Sequence, residues 1–332
     1  MKSIVLSLSA ATSLMLGFAT PAAAQPYDPA PNQLSVMTWN VEWMYDDYQG
    51  DNRSNVAKEN AAPSKEFWQT KVNGVAKVIA DAAPHIVALQ EIEGDQTLNS
   101  IRKVLQDKHG VAYRYAFIQG ADSFLEQDVG ILMKNGLISY RRQEQSKTMN
   151  DSRENYNVSK HLIAEFRWSN VKRPLTLMTV HYRARAEAEE KRVKQARLSR
   201  LWMEQPLADE HDVLVLGDFN SETFAGENRS DIAALAGEKG KPQMLDLLTQ
   251  LKNPRQATHL ILPRQFDRIM ASESIVKDEP GLDWSFEKVE ILDRAVIRGR
   301  KDGDEHWERL KMDPEEVDLS DHHPVVATFR LK

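Results

Sequence analysis

Short apolar runs that stop abruptly at polar residues set the rhythm of this chain. Val36 to Asn40 begins as a strand, Ile86 to Leu89 reads as a buried strand running into Gln90-Glu91, and Val129 to Met133 is a third, halted by Asn135-Gly136. Leu162 to Trp168 and Leu175 to Val180 read as paired strands, Val213 to Leu216 as the next, and Val325 to Leu331 as the closing one. Between them, Ser64 to Ala82 puts Phe67, Val72, Val75, Val78 and Ile79 on one approximate face and predicts a helix that Pro84 breaks. Glu187 to Met203 is rich in strong helix formers and predicts a surface helix. Arg141 to Lys160 reads as a polar loop, and Thr223 to Pro242 and Arg298 to Asp318 as charged excursions. Strands alternating with helices and hairpins give an α/β class. No repeat, heptad or low-complexity tract is visible, and no Pro/Gly/Ser linker divides the chain. The expectation is therefore one domain over residues 34–332, after a short extension at 25–33.

The residues just past each apolar run carry the chemistry. Val36 to Trp39 leads to Asn40 and Glu42, Ile86 to Leu89 to Gln90 and Glu91, and Leu177 to Val180 to His181. Leu214 to Leu216 leads through Gly217 to Asp218 and Asn220, Gln265-Phe266 to Asp267, and Leu319-Ser320 to Asp321-His322-His323-Pro324. Alternation along a strand lets Asp218 and Asn220 point the same way off its end. In α/β sheets ligand sites gather beyond the carboxyl ends of strands. Carboxylates, amides and imidazoles collected there make an oxygen-rich pocket suited to a hard cation such as Mg²⁺, Mn²⁺ or Ca²⁺. Singly, each residue has a plain structural explanation. Asn40 can be a turn residue, Glu42 a solvated charge, Glu91 a strand cap, His181 a core histidine, Asp267 a partner of Arg268, and Asp321-His322 a structural pair. Six coincidences of one kind make that shared explanation the weaker one.

Composition narrows the choice. Lys2, the mostly apolar stretch Ile4 to Phe18 and the small residues Ala22-Ala23-Ala24 resemble a secretory signal over residues 1–24, which predicts an exported protein, periplasmic or secreted. The absence of cysteine excludes disulfides, a thiolate nucleophile and Cys-ligated metal centres. An exported chain without disulfides must rest on its core, which roughly 300 residues can supply. The formal net charge of −6 argues against gripping nucleic acid by overall electrostatics, but not against a nuclease whose acids bind metal.

The ordered set Trp39-Asn40, Leu89-Gln90-Glu91, Thr179-Val180-His181, Gly217-Asp218-Phe219-Asn220-Ser221, Phe266-Asp267 and Ser320-Asp321-His322-His323-Pro324-Val325 resembles the endonuclease/exonuclease/phosphatase (DNase I-like) superfamily, from about Leu34 onward. The resemblance implies a four-layer α/β sandwich, two mixed β-sheets packed face to face with helices outside. It implies metal-dependent attack of water on a phosphate ester, with Mg²⁺ the foremost cation. By similarity, Asn40 and Glu91 hold the metal, Asp218 orients or deprotonates the water, and Asn220 donates to the phosphoryl oxygen. His322 contacts the phosphate, with Asp321 fixing its tautomer and touching a second metal. His181 supplies the acid for the leaving oxygen, and Asp267 supports the histidine side of the site. Arg183 and Arg185, after His181, are candidates to meet substrate phosphate, or else solvated charges. Glu42 lies where some branches carry another metal-site acid, and Asp128 where some members have a catalytic Tyr or Glu for which it could substitute; Asp128 can equally be a turn residue.

The leading expectation is an exported nuclease acting on DNA or RNA, monomeric and without an obligate protein partner. One alternative is a phospholipid, sphingomyelin or small phosphate-ester hydrolase, for which Trp284 and Trp307 are candidate membrane-facing aromatics. The other is a catalytically silent binding module on the same fold.

Overall fold

The computed structural model describes residues 27–227, 230–238, 243–277 and 283–332; the signal-like segment lies outside them. Twelve strands form among these residues: β1 (Gln33–Met44), β2 (Ile86–Ile92), β3 (Arg114–Phe117), β4 (Asp128–Met133), β5 (Leu137–Arg141), β6 (His161–Phe166), β7 (Leu175–His181), β8 (Asp212–Asp218), β9 (Met244–Asp246), β10 (Asp267–Ser272), β11 (Trp284–Ile291) and β12 (Val325–Leu331). They make two six-stranded mixed sheets, in the orders β11-β12-β1-β2-β4-β3 and β5-β6-β7-β8-β10-β9. Each sheet has one parallel pair at its centre, β1 with β2 and β7 with β8, and antiparallel pairing on either side. The two sheets therefore share one pairing pattern, with β11 and β12 from the end of the chain taking the places that β5 and β6 hold in the other, although the sequence shows no repeat.

Period-two alternation sorts the layers. Leu34 and Val36 of β1, Ile86 and Ala88 of β2, Leu175 and Leu177 of β7, and Leu214 and Leu216 of β8 meet in the core between the sheets. Met37, Trp39, Val87 and Leu89 turn the other way, under the helices Lys65–Ala82 and Asp95–His109. Met178, Val180, Val213 and Val215 pack beneath the helix Glu189–Ala208. Strands covered on both faces read as near-continuous apolar runs, which is why they stand out in the sequence. The result is the expected sandwich of two sheets with helices outside.

The first expected helix starts one residue late, at Lys65, with Ser64 accepting a hydrogen bond from Phe67 N as its N-cap. The second runs on to Ala208 and is no simple surface helix, since Ala196, Leu198, Trp202 and Met203 are buried against the second sheet. The loop expected over 141–160 holds a short helix, Lys147–Ser152. The runs before Asp267 and Asp321 are not strands. Asp267 opens β10 and Asp321-His322 precede β12; both strands run antiparallel to their neighbours, so their amino ends reach the edge where β1, β2, β7 and β8 end. No helix among the described residues is long and apolar enough to cross a membrane.

Candidate active site

The inward positions of the central strands change from apolar to polar toward one edge. Continuing the alternation, β1 presents Leu34, Val36, Thr38 and Asn40; β7 presents Leu175, Leu177, Thr179 and His181; β8 presents Leu214, Leu216 and Asp218. The first polar tier is closed across the sheets, because Thr38 Oγ1 donates to Gln90 Oε1 at 3.3 Å and Gln90 Nε2 donates to Thr179 Oγ1 at 3.1 Å. Every member of that tier is buried and paired, so it fixes the sheets against each other below the site.

Above it, Asn40 Nδ2 donates to Glu91 Oε1 and to Asp218 Oδ2, each at 3.0 Å, bridging one carboxylate from each sheet. His181 Nε2 lies 3.5 Å from Asp218 Oδ2 and 3.8 Å from Glu91 Oε1. His322 Nδ1 meets Asp267 Oδ2 at 2.8 Å, and its Nε2 lies 3.9 Å from Asp218 Oδ2 and 3.8 Å from Asp321 Oδ1. The backbone here departs from regular strand. Glu42, Trp43, Glu91 and Asn220 all have positive φ, at 49°, 43°, 60° and 50°. Residues held in that region cost of order 1–3 kcal/mol each and gather at functional sites. At Glu91 the turn lets Oε2 accept from Trp43 N at 2.9 Å.

Burial works against charge throughout the cluster, and the neighbours decide which groups keep it. Burial, with Asp321 nearby, raises Glu91 above the usual carboxylate range. Burial also raises Asp218, against the opposing pull of His322. Asp321 is held well below the usual range because His322 and His259 outweigh its burial. His322 is pushed well above the ordinary imidazole value, since Asp267, Asp321 and Asp218 overcome desolvation. His181 goes the other way: burial, then Lys160 and His322, press it well below. Two histidines in one pocket are thus driven in opposite directions.

The structure brings together Asn40, Glu91, His181, Asp218, Asp267, Asp321 and His322. It differs from expectation in several details. The carboxylate on His322 Nδ1 is Asp267 rather than Asp321, because the amino end of β10 places Asp267 directly behind the ring. Asn40 turns its nitrogen to the acids while its Oδ1 accepts from Glu42 N at 2.9 Å. β8 ends at Asp218 and the chain turns at once. Asn220 N therefore donates to Asp218 Oδ1 at 2.8 Å, and Asn220 Nδ2 reaches Tyr182 O at 3.2 Å rather than running parallel to Asp218. Arg183 and Arg185 are exposed at the rim, with their carbonyls held by Arg192 Nη1. Asp128 is a loop anchor, accepting from Gly120 N at 2.6 Å. Glu42 is buried, with Oε2 2.7 Å from His306 Nε2, Oε1 3.0 Å from Arg309 Nε, and Asp321 N donating to Oε2 at 3.1 Å.

Three residues of the neighbourhood carry no warning in the sequence. His259 Nδ1 accepts from Ile261 N and Leu262 N, which leaves Nε2 as the protonated nitrogen, 3.5 Å from Asp321 Oδ2. Lys160, at the end of the expected loop, is buried with Nζ 2.9 Å from Gln127 Oε1, and burial lowers its pKa. His306 sits in the charged excursion and is fully buried between Glu42 and Asp302. Lys160 and His259 occupy irregular backbone and His306 a short 3₁₀ helix, Asp304–Lys311, where no strand periodicity marks an inward position.

The donor set suits a divalent cation. Glu91, His181 and Asp218 bring one ligand atom each within 4.8 Å of one another, as do His259, Asp321 and His322, and Asp218, Asp267 and His322. Asp267 Oδ1 is buried without a partner. Carboxylates crowded this closely need a neutralising charge, and oxygen with imidazole, without thiolate, fits a hard or borderline divalent cation.

A model of the Endonuclease/Exonuclease/phosphatase family matches residues 37–322. No curated protein matches the chain. Among solved structures, the human Nocturnin catalytic domain with bound sulfate anion is 14% identical, with a TM-score of 0.57 over 92% of this chain and 97% of that one. D. rerio TDP2 complexed with single strand DNA product is 18% identical, with a TM-score of 0.55 over 90% of this chain and 100% of that one. The endonuclease/exonuclease/phosphatase from Bacteroides vulgatus is 15% identical, with a TM-score of 0.57 over 91% and 100%. These similarities show a shared fold.

Proposed function

Since the chain belongs to the endonuclease/exonuclease/phosphatase family, whose members hydrolyse phosphodiesters, we propose that it is an exported, divalent-metal-dependent nuclease. The observation that carries this reading is the convergence on Asp218 Oδ2 of Asn40 Nδ2 at 3.0 Å, His181 Nε2 at 3.5 Å and His322 Nε2 at 3.9 Å. Glu91, which Asn40 Nδ2 meets at 3.0 Å, and Asp321 would hold the cation. When bound, the cation offsets charge on the phosphate oxygens.

The remaining steps belong to the side chains. Asp218 takes the proton of the attacking water; a carboxyl raised by burial is a stronger base than an exposed one. The His322 imidazolium, kept charged by Asp267 at Nδ1, contacts the phosphoryl group through Nε2 and is the group with a proton to give the leaving oxygen. Neutral His181 contributes a hydrogen bond rather than an imidazolium acid. Asn220 Nδ2, with one hydrogen directed at Tyr182 O, has a second for a phosphoryl oxygen.

Nucleic acid is favoured as substrate by the rim. Arg183 and Arg185 are exposed next to His181, and Trp307, 51% exposed, stands with its ring 6.2 Å from that of His259, where a base can stack. Trp284, by contrast, is 2% exposed and packs against Trp168, so it offers nothing to a membrane. The DNA product bound to D. rerio TDP2 is consistent with this choice. Export rests on residues 1–24, and N-terminal sequencing of the protein from the cell envelope or medium should find a chain beginning near Gln25.

The test is incubation with supercoiled plasmid and Mg²⁺, Mn²⁺ or Ca²⁺, beside EDTA and Asp218→Ala controls. Metal-dependent nicking absent from both controls is expected. No nicking with any metal overturns the nuclease reading and directs attention to phospholipids and small phosphate esters.

A further inference from the structure

Outside the active site, the chain that leaves β1 makes a second set of oxygen donors with the end of β2. One oxygen from each of Asp46, Asp51 and Glu93 lies within 4.8 Å of one from each of the others. No basic side chain is set among them. The charges felt most strongly at Asp46 are Asp51 and Asp47, and at Glu93 they are Asp46 and Asp51. Acidic clusters are common on surfaces, and this one would mean little without its fourth member.

That member is Asn52, whose side chain is 6% exposed. Its Nδ2 donates to Glu93 Oε1 at 2.5 Å, so the amide is seated on the cluster, and its Oδ1 is buried with no hydrogen-bond partner. A buried amide oxygen left without a donor costs about 1–3 kcal/mol. Exchanging the two amide atoms does not help, because it sets oxygen against the Glu93 carboxylate. A cation held by the three carboxylates would also supply the partner that Oδ1 lacks.

We propose that Asp46, Asp51, Glu93 and Asn52 Oδ1 bind a Ca²⁺ ion distinct from the centre at Glu91 and Asp218. The donors are all oxygen, three of them anionic, and three of the four come from one short segment, Asp46 to Asn52, with exposed Asp51 open to water. Ca²⁺ accepts six to eight oxygens in adaptable geometry, whereas Mg²⁺ demands a tight octahedron and keeps its waters. Glu93 N already donates to Met44 O at 3.3 Å, and Asp46 N to Glu93 Oε2 at 2.8 Å. The ion clamps the segment after β1 to the end of β2, two residues beyond Glu91.

The experiment is equilibrium dialysis of the whole chain against Ca²⁺ alone, with thermal unfolding alongside. It compares the wild type with Glu91→Gln and Asp218→Asn, which disturb only the active site, and with Asp51→Asn, an exposed position that leaves the fold intact. One Ca²⁺ and a Ca²⁺-dependent rise in Tm should persist in both active-site variants, and Asp51→Asn should bind one Ca²⁺ fewer than the wild type with a correspondingly smaller rise. If Asp51→Asn binds and is stabilised like the wild type, or if neither active-site variant retains Ca²⁺, the proposal is overturned. Loss of nicking is not among these readouts, so failure here leaves the nuclease reading standing.

Discussion

The two sheets have the same pairing pattern about a central parallel pair, their strand orders differing by a circular shift, yet their ends present different groups. At the end of the β1–β2 pair stand Asn40 and Glu91, oxygen-bearing groups on a backbone bent into positive φ at Glu42, Trp43 and Glu91. At the end of the β7–β8 pair stand His181 and Asp218, in register with each other, with Asp267 paired to Asp218 from β10. In the proposed mechanism the first pair offers ligands and the second offers groups that hold and move protons. The site exists only where both edges face each other, and Asn40 Nδ2 is the atom that spans them. A shared topology thus supplies the position of a functional residue, and the side chain placed there supplies its task.

The division can be tested by removing one side at a time. The largest effect is expected from the second sheet: Asp218→Asn or His322→Ala should lower kcat by about 10²–10⁴-fold at saturating metal, with Tm preserved. Glu91→Gln should instead raise the metal concentration needed for half-maximal rate by about 10–100-fold or more, with a partial return of rate at high metal. If both variants respond alike to added metal, the two edges do not divide the work.

A sharper test of the second edge is steric. Gly217 has φ +144°, and a Cβ there would lie 1.9 Å from Val180 O, in the partner strand of the parallel pair. Gly217→Ala should destabilise the protein by about 2–4 kcal/mol and reduce activity by displacing Asp218, read as a lowered denaturation midpoint.

Beneath Glu42 the corresponding support is ionic. His306 lies between Glu42 Oε2 at 2.7 Å and Asp302 Oδ2 at 2.8 Å, and these carboxylates overcome its burial to raise it from 6.5 to about 9. A raised histidine stabilises the fold fully below its unfolded value, near pH 6.5, and loses that contribution as pH rises through about 9. The wild type should lose about 2–3 kcal/mol between these limits, while His306→Gln, less stable at pH 6, should show a flatter profile in thermal melts. The smallest effect belongs to the rim, where Trp307→Ala should raise KM for DNA about 5-fold or more with kcat unchanged, as loss of a stacked base requires.

Sequence reading reaches furthest where burial writes a pattern. Apolar runs ending at Asn40, Glu91, His181 and Asp218 are visible because these strands are covered on both faces and polar groups cannot occur within them without a reason. The placement of Asp267 behind His322 is not visible, because it depends on β10 running antiparallel to β8, and pairing direction leaves no trace in local pattern. His259, Lys160 and His306 are hidden for a related reason: they reach the neighbourhood from irregular chain or, for His306, a short 3₁₀ helix, where burial is set by tertiary contacts alone. The charged stretch 298–318 is misread most. Its acids, arginine and histidine look solvated, but Asp302, His306 and Asp318 are buried and tie it to Glu42.

The first sheet has a further consequence, one of timing. β1 lies between β2 and β12, and Gln33 pairs with Arg330 across nearly the whole chain. Asp321 and His322 enter just ahead of that last strand. Closing contacts so distant in sequence carries a loop-closure cost that slows folding. The cluster that joins Asn40 and Glu91 to Asp321 and His322 is complete only once the final strand has docked beside the first.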